Sequence, residues 1–310
     1  MSSNDRTLKV GVAGLGVVGG GVAVRLTKGG PARKLIGALV RDASQPREFP
    51  TDDVIFATSI PDFVAQELDV IVDALPDGEA GFALIEQALS QGVSIVSANK
   101  QALAGRLEQL HCVARANAAA LLYAAAVGGG APMIETVSRA RAQGPIEKIS
   151  AIVNGTVNFI LTKLADGANF DDAVRQAQDA GFAEPDPSAD LSGGDARAKL
   201  SILSYEAFGA EIDLNEVKTE SLTPERAASM LKAGGVWRQI SELRKNAAGL
   251  ISASATFQQV DIGSVFADAR YQDNALIVMT ADGEMFSACG EGAGRAPTVD
   301  SIFCDLEQLK

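Results

Sequence analysis

Asp195 and Lys199 are four residues apart and have side chains that could bind an ammonium group and move a proton. On a helix, this spacing would place them on one face. Glu184 and Asp190 precede them in a Pro-rich acidic loop, so the pair would lie beside two more carboxylates. The same spacing is common in exposed ion pairs that have no catalytic role. The chemical interpretation is favoured by the start of the chain, which indicates a nucleotide site.

A glycine-rich motif follows the apolar segment 8–13 and precedes an amphipathic run predicted to begin at Val22. Its pattern is G-x-G-x-x-G, and its residues are Gly14, Leu15, Gly16, Val17, Val18 and Gly19. Between a strand and a helix, these glycines allow a tight turn, close approach of a pyrophosphate and close helix–strand packing. The helix N-terminus offers free N–H groups to the phosphates. The motif predicts dinucleotide binding, with a packing turn and a methyl-donor site as alternatives.

The second apolar segment, residues 35–40, ends at Arg41 and Asp42. An acidic residue at this strand end typically binds the ribose 2′-hydroxyl of NAD, whereas an arginine can bind the 2′-phosphate of NADP. Because Arg41 comes first, the sequence favours NADP, and Asp42 leaves NAD open. The alternative for Arg41 is a solvated loop charge.

The composition limits the possible partners. A net charge of −12 argues against nucleic acid, and no uninterrupted apolar run has the length to cross a membrane. Residues 1–6 lack the apolar segment of a signal peptide. Cys112, Cys289 and Cys304 have no C-x-x-C spacing, which favours the reducing cytoplasm over a disulfide framework or zinc site. The one histidine, His111, is expected to be a partly buried helix residue, so proton transfer falls to lysines and carboxylates.

Strand-like and helix-like segments alternate up to about residue 130. The expected strands include residues 69–75, 93–97 and 121–125, and this alternation predicts an α/β, Rossmann-type doubly wound parallel sheet. Lys100 follows the strand 93–97 and should point toward the cofactor crevice, because ligands bind at the carboxyl ends of such strands. The triple glycine in residues 127–132 indicates close backbone approach or a hinge.

From about residue 145 the pattern changes to that of an α+β domain. Strands are expected over residues 146–153, 252–260 and 275–280, and helices over 158–164, 170–180, 199–208 and 299–309. An acidic stretch that precedes residue 252 is expected to be helical.

The chain resembles the homoserine dehydrogenases over nearly its whole length. The resemblance rests on six motifs in order, namely residues 14–19, Ala98-Asn99-Lys100, residues 127–132, Asn154-Gly155-Thr156-Val157-Asn158, residues 181–199 and Gly292-Ala293-Gly294. The family interconverts L-homoserine and L-aspartate 4-semialdehyde by hydride exchange with a nicotinamide cofactor. The resemblance therefore implies an oxidoreductase of amino-acid biosynthesis, toward threonine and methionine.

The resemblance also implies roles for individual residues. It implies catalytic roles for Lys199 as proton donor and acceptor, for Lys100 as second lysine, and for Asp195. It implies substrate contacts for Glu184, Asp190, Asp195 and Gly155. Beyond residues 14–19 and Arg41, it implies cofactor contacts for Lys100, Gly181 and Gly294. A monovalent cation, usually sodium, would be held by the backbone carbonyls of Ala124, Val127, Gly129 and Ala131.

The resemblance implies three segments along the chain. These are a dinucleotide-binding domain over residues 1–133, a substrate and dimerisation domain over 134–286, and a segment 287–310 that returns to the first domain. A homodimer acting on a small amino acid is expected. Because the sequence ends at Lys310, control through an ACT-type or fused kinase domain is not expected.

Three positions depart from the family pattern. Ala124 stands where the family often has Glu, Val157 replaces a common Thr, and residues 73–78 differ from the usual Glu-rich, Gly-Gly strand end. These changes leave open a different hydroxylated amino acid as substrate. A non-catalytic nucleotide-binding regulator is the second alternative, although the joint presence of Lys100, Asp195 and Lys199 argues against it.

Overall fold

The computed structural model describes residues 7–30 and 32–309. Residues 1–6, in which no signal-peptide pattern is found, lie outside the described part. Contacts divide the chain into two compact units, with borders between Ala126 and Val127 and between Pro297 and Thr298. The predicted domain borders at 133/134 and 286/287 remain a prediction about functional domains. Among the described helices, none is both long and apolar enough to cross a membrane.

The first unit is built on a six-stranded parallel sheet. Its strands are β1 (Leu8–Ala13), β2 (Arg33–Leu39), β3 (Ile55–Ala57), β4 (Val70–Asp73), β5 (Ser94–Ser97) and β6 (Leu121–Leu122). The spatial order is β3-β2-β1-β4-β5-β6. This is the order of a doubly wound dinucleotide fold, and its crevice opens where the order reverses, at the carboxyl ends of β1 and β4. The predicted fold class is confirmed.

Five helices connect these strands, namely α1 (Val17–Lys28), α2 (Ile60–Val64), α3 (Gly78–Ser90), α4 (Lys100–Leu103) and α5 (Leu107–Ala116). Their starts follow capping rules, since a side-chain oxygen at the N-cap satisfies an N–H group of the first turn. Asp77 accepts from Ala80 N at 2.7 Å to begin α3, and Ser59 begins α2, with Pro61 in its first turn.

The second unit combines eight helices with a second sheet. The helices are α6 (Ala124–Gly128), which crosses the border, and α7 (Met133–Gln143), α8 (Gly155–Ala165), α9 (Phe170–Asp179), α10 (Ser188–Leu191), α11 (Gly194–Phe208), α12 (Pro224–Ala233) and α13 (Val265–Asp268). The strands are β7 (Ile146–Ile152), β8 (Lys218–Thr219), β9 (Val236–Lys245), β10 (Ile251–Val260), β11 (Asp273–Thr280) and β12 (Met285–Glu291). Their order is β12-β11-β7-β9-β10-β8, antiparallel except for β8 beside β10.

From Thr298 onward, the last helix, α14 (Arg295–Gln308), belongs to the first unit. Its Ile302 and Phe303 join a core with Val10 and Val72 of the parallel sheet. The guanidinium of Arg25 lies 4.1 Å from the centre of the Phe303 ring. The carboxyl-terminal residues therefore return to the dinucleotide fold and stabilise it by burying apolar surface.

Three secondary-structure predictions are corrected. The first helix begins at Val17 instead of Val22, because Gly16 already serves as its N-cap. The strand expected over residues 121–125 ends at Leu122, and the alanines from Ala124 form α6, in line with the high helix propensity of alanine. The acidic stretch expected to be helical does contain helix α12, but it also contains β9, whose ten residues pair with β10. On its other side β9 pairs with β7, which lies far earlier in the chain, and this long-range pairing outweighs local propensity.

Candidate active site

Asp195 and Lys199 lie on one face of α11, one helical turn apart, as predicted. Lys199 Nζ is 3.0 Å from Asp195 Oδ2, and the two side chains are only 11% and 7% exposed. The helix begins after Gly193, whose φ of +81° lets the chain turn sharply into its first turn. Because the pair is buried, it differs from the exposed ion pairs that share its spacing.

The ammonium group of Lys199 reaches the end of β7. Its Nζ donates a hydrogen bond of 2.7 Å to the carbonyl of Val153, the residue after that strand. A buried ammonium group is stable only when it is paired and hydrogen-bonded, and here both conditions are met. The side chain is thereby fixed at one end of the second sheet.

Asn154, which sequence reasoning did not assign to the site, joins this end of the sheet to the acidic loop. Its Oδ1 caps α8 by accepting from Val157 N at 2.8 Å, and its Nδ2 donates to Asp190 Oδ1 at 3.0 Å. An asparagine directly before a helix is an N-cap signal in the sequence, so its backbone role could have been found there. The bond to Asp190 depends on tertiary structure.

Gly155 is the first residue of α8 and has a packing reason to be glycine. A Cβ at this position would lie 2.8 Å from the carbonyl oxygen of Gln272. The close approach of two backbone segments therefore explains the residue type without a ligand. A substrate contact by Gly155 remains a prediction.

The loop before α10 contains the other predicted contacts. Gly181 has φ +76° after α9, and the carbonyl of Phe182 accepts from Thr156 Oγ1 at 2.6 Å, which ties the loop to the start of α8. Glu184 is exposed, and its main-chain carbonyl accepts from Gln178 Nε2 at 3.2 Å. Of the two acidic residues upstream of Asp195, Asp190 is thus half-buried and bonded to Asn154, whereas Glu184 is exposed.

The glycine motif in the first unit has the geometry of a pyrophosphate site. A Cβ on Gly19 would lie 1.8 Å from the Gly14 carbonyl oxygen, so α1 packs directly on the turn. Gly14 has φ +83°, whereas a Cβ on Gly16 would have open space around it. No side chain caps α1 at Gly16. The motif therefore leaves room, N–H groups and a positive dipole end where phosphates would lie.

Asp42 and Arg41 differ in what they contact after β2. The Asp42 carboxylate accepts from Ser44 N at 2.8 Å and from Ser44 Oγ at 2.6 Å, and these bonds hold the pKa of Asp42 below its usual value. The guanidinium of Arg47 donates to the Asp42 carbonyl at 2.6 Å. Arg41 is exposed. The carboxylate that would favour NAD is thus engaged in its own turn.

Lys100 is the first residue of α4 and follows the carboxyl end of β5, where the sequence placed it. It is half-buried. Asn99 caps the helix, since its Oδ1 accepts from Ala102 N at 3.2 Å. Lys100 therefore lies at the edge of the parallel sheet at which ligands of this fold bind.

Asp73, which ends β4, was not assigned to the site by sequence reasoning. It is fully buried, and burial raises the pKa of its carboxyl group to about 6, although hydrogen bonds oppose this effect. A buried carboxyl group with a raised pKa at such a strand end is a candidate functional group. Its sequence signal was weak, because an aspartate at a strand end is common.

Of the four carbonyls expected to hold a cation, those of Ala124 and Val127 belong to α6, and those of Gly129 and Ala131 belong to the loop after it. Gly129 has φ +60°, and a Cβ there would lie 2.6 Å from the Gly292 carbonyl oxygen. The Ala131 carbonyl accepts from Met133 N at 2.8 Å and keeps a second lone pair. Within residues 7–30 and 32–309, no group of three or more His, Cys, Asp and Glu could hold a metal ion.

Asn274 lies beside this loop with an unsatisfied amide. It is fully buried, and neither polar atom of its side chain has a hydrogen-bond partner among the described residues. A Cβ on Gly292 would lie 2.4 Å from Asn274 Oδ1, so the amide contacts the glycine that Gly129 also contacts. Buried polar groups normally have a hydrogen-bond partner in the protein or in an ordered water, so an amide without a protein partner is suited to a bound water or ion. The oxygens that this part of the second unit offers are neutral, and a bound cation here remains a prediction. Gly294 follows with φ +123°.

His111 lies in α5, as predicted, and is partly buried. Its Nε2 is 3.3 Å from the Tyr123 hydroxyl, and burial lowers the pKa of the ring. The proton carriers of the candidate site therefore remain lysines and carboxylates.

Two family models match the chain. One, described as homoserine dehydrogenase, matches residues 132–306, and the other, described as homoserine dehydrogenase NAD binding domain, matches residues 14–124.

Similar proteins cover most of the chain. A homoserine dehydrogenase of Mycobacterium leprae is 32% identical over 99% of this chain and 73% of that protein. An NAD(+)-dependent homoserine dehydrogenase of Pseudomonas canavaninivorans is 32% identical over 77% of this chain and 70% of its own length. The crystal structure of a homoserine dehydrogenase from Thiobacillus denitrificans superposes with a TM-score of 0.87 at 30% identity, covering 97% of this chain and 72% of that one.

Proposed function

Because the chain belongs to the homoserine dehydrogenase family and is an NAD(P)-dependent dehydrogenase of CH–OH groups, we propose that Lys199 carries its proton and Asp195 places its substrate. The observation that carries this assignment is the buried pair they form, 3.0 Å apart, at the end of the second sheet. The reaction is the interconversion of L-homoserine and L-aspartate 4-semialdehyde.

The ammonium group of Lys199 is suited to proton transfer at the substrate hydroxyl group. When bound, the nicotinamide ring accepts or supplies the hydride. Loss of hydride from carbon requires loss of the hydroxyl proton, and addition of hydride to the aldehyde carbon leaves an alkoxide. An ammonium group beside that oxygen stabilises the negative charge and delivers the proton. The bonds from Lys199 to Asp195 and Val153 hold the ammonium in one place, so little reorganisation is needed.

The carboxylates around α11 and α8 suit the α-ammonium group of an amino acid. Asp195 is buried beside Lys199, and Asp190 is held by Asn154. Charge-assisted hydrogen bonds to an ammonium group are strong in a site with little solvent. Glu184, on the exposed loop, would complete this set when the loop meets the substrate.

For the cofactor we propose NADP, bound at the turn of Gly14, Gly16 and Gly19 with Arg41 toward the 2′-phosphate. The open space at Gly16 and the uncapped start of α1 support the pyrophosphate position. Engagement of Asp42 by Ser44 supports the preference for NADP over NAD. Lys100 would supply a second ammonium group near the reacting oxygen, and Gly181 and Gly294 further contacts to the cofactor.

The substrate assignment is tested by NAD(P)⁺ reduction with the purified protein and a panel of hydroxylated amino acids. We expect the highest kcat/KM with L-homoserine. A higher kcat/KM with L-serine or L-threonine would identify a family member with a different substrate. The departure of residues 73–78 from the family pattern is the reason to test for it. Tight NADP binding without turnover of any of them would identify a nucleotide-binding regulator.

A homodimer formed through the second sheet is also proposed. Side chains on one face of this sheet, such as Ile149 and Leu243, are fully buried, whereas Ser150 and Ile277 on the other face are half-buried and Met285 is 73% exposed. This face also carries the ion pair of Lys148 and Glu242, and its apolar side chains, Ile277 and Met285, suit a second copy of the chain. Sedimentation analysis should give a dimer, and Ile277→Asp should give monomers. A monomeric wild-type protein would contradict the proposal.

A further inference from the structure

A chain of hydrogen bonds runs from the end of β4 to the start of α4. The Asp73 carboxylate accepts from Leu75 N at 3.0 Å through Oδ1 and from Ser97 Oγ at 3.0 Å through Oδ2. Ser97 Oγ in turn accepts from Asn99 N at 3.1 Å. Asp73 and Ser97 are both fully buried, so water does not substitute for these partners.

Asn99 connects the hydrogen bonds of Asp73 and Ser97 to the start of α4. Its Oδ1 caps that helix through Ala102 N, and its Nδ2 donates to the Asp77 carbonyl at 3.0 Å. The main chain next to Asn99 is also held, since Ala98 N donates to the Asp73 carbonyl at 2.9 Å. Lys100, the first residue of α4, therefore extends from a turn whose position depends on Asp73.

We propose that Asp73 is a positioning residue for Lys100. The ionised carboxylate of Asp73 orients the Ser97 hydroxyl and thereby fixes the turn of Asn99 and Lys100. A serine hydroxyl has one proton. While the Asp73 carboxylate accepts the hydrogen bond of that proton, the lone pairs of Ser97 Oγ face Asn99 N. The proposal rests on the proposed catalytic role of Lys100.

Protonation of Asp73 would weaken this arrangement. A carboxylic acid carries its own proton, which competes for the Ser97 oxygen and turns the hydroxyl away from Asp73. Burial places this titration near pH 6. The residues paired with Asp73 on either side, Ala13 of β1 and Ser97 of β5, are uncharged. Asp77 at the start of α3 and Lys100 itself are the charged groups nearest along the two connections.

The first test compares Asp73→Asn with Asp69→Asn. Asp69 precedes the same strand at its opposite end, where its Oδ2 accepts from Lys9 N at 2.8 Å in a part-buried bond. Asp69→Asn therefore controls for replacement of a carboxylate that accepts from the main chain. We expect Asp73→Asn to lower kcat about 10- to 100-fold, the scale of a small misplacement of a reacting group, with the NADP Kd within about twofold. The wild-type kcat should fall below about pH 6, and this limb should be absent in Asp73→Asn. A kcat and pH profile like those of Asp69→Asn would overturn the proposal.

A second readout requires no turnover. Reductive ¹³C-methylation makes the Lys100 amine visible by NMR, with Lys100→Arg identifying its resonance. The resonance should shift with an inflection near pH 6 in the wild type and not in Asp73→Asn, and absence of the wild-type inflection would overturn the positioning role. If Asp73→Asn does not fold, Ser97→Ala breaks the same link, and an unchanged kcat and Lys100 resonance there would be equally decisive. A wild type without dehydrogenase turnover contradicts the proposed function instead, and the Lys100 titration still decides the role of Asp73.

Discussion

Lys199 Nζ lies 3.0 Å from Asp195 Oδ2, and the side chains of this pair are only 11% and 7% exposed. The exposed pair of Lys34 and Asp53 has the same separation, 3.0 Å, with side chains 54% and 75% exposed. The two ion pairs have the same separation but differ in burial, and burial decides how much each pair affects stability and whether it can serve catalysis. Removal of one partner from a buried pair leaves an uncompensated charge, whereas exposed pairs contribute little.

Lys199→Ala should lower kcat by about 10²- to 10⁴-fold, the usual contribution of a positioned acid–base group. Cofactor affinity should stay near wild type, because the predicted nucleotide contacts lie elsewhere in the chain. Lys34→Ala is the matched control and should change stability by about 0–1 kcal/mol without an effect on rate. A Lys199→Ala enzyme with near-normal kcat on its best substrate would end the mechanistic assignment.

Asp195→Asn should raise KM for the amino acid and lower kcat as well if Asp195 orients the hydroxyl. Loss of a charge-assisted bond of about 1.5–3 kcal/mol corresponds to about 10- to 150-fold in kcat/KM. Asp172, which pairs with Arg175 on α9, provides the control substitution Asp172→Asn. Steady-state kinetics at varied substrate decides the matter, and an unchanged KM with Asp195→Asn counts against a substrate contact.

Arg41→Ala should weaken NADP binding by about 1.5–3 kcal/mol and leave NAD binding unchanged. The reason is that only NADP carries the 2′-phosphate that an arginine would bind. Arg47→Ala serves as the control, because the Arg47 guanidinium is occupied by the Asp42 carbonyl. Fluorescence titration with NADPH and NADH measures both affinities. Equal losses for the two cofactors would contradict the assignment.

Removal of sodium and potassium should lower activity, and addition of either at constant ionic strength should restore it and raise Tm. A cation bound to the folded state alone stabilises it by mass action. The expected oxygen ligands are the carbonyls of Ala124, Val127, Gly129 and Ala131. The Asn274 amide, which has no hydrogen-bond partner among the described residues, is a further candidate. Tetramethylammonium chloride keeps the ionic strength, and unchanged activity and Tm in it would exclude a functional cation site.

The buried Asp73 should make stability fall as the pH rises from about 4 to 6. Its pKa is raised from 3.8 to about 6 in the folded state, so across this interval the folded chain holds a proton that the unfolded chain has lost. The unfolded state then binds fewer protons, and the free energy of unfolding decreases with pH. The full effect is about 3 kcal/mol. Denaturant unfolding should show this fall in the wild type and not in Asp73→Asn; parallel curves for the two would refute it.

Local patterns were sufficient for much of the fold. The spacing of Gly14, Gly16 and Gly19 after an apolar segment predicted the first strand, turn and helix. Two of these glycines have short-range reasons, since Gly14 has φ +83° and Gly19 packs on the Gly14 carbonyl. The same holds for Asp195 and Lys199, whose separation on a helix follows from helix geometry alone. The start of α1 and the strand β9 were missed, since capping by a glycine and pairing with a distant strand leave little mark on local sequence.

By itself, the sequence determined which side chains could do chemistry and which short elements carry them, because helix periodicity and turn chemistry act between near neighbours. Only the tertiary structure decided that the Lys199–Asp195 pair is buried, that the Val153 carbonyl holds its ammonium and that Asn154 binds Asp190. These contacts join residues up to 46 positions apart. Burial, which sets the strength of charges and the pKa of Asp73, is a property of the packed chain and of no local segment.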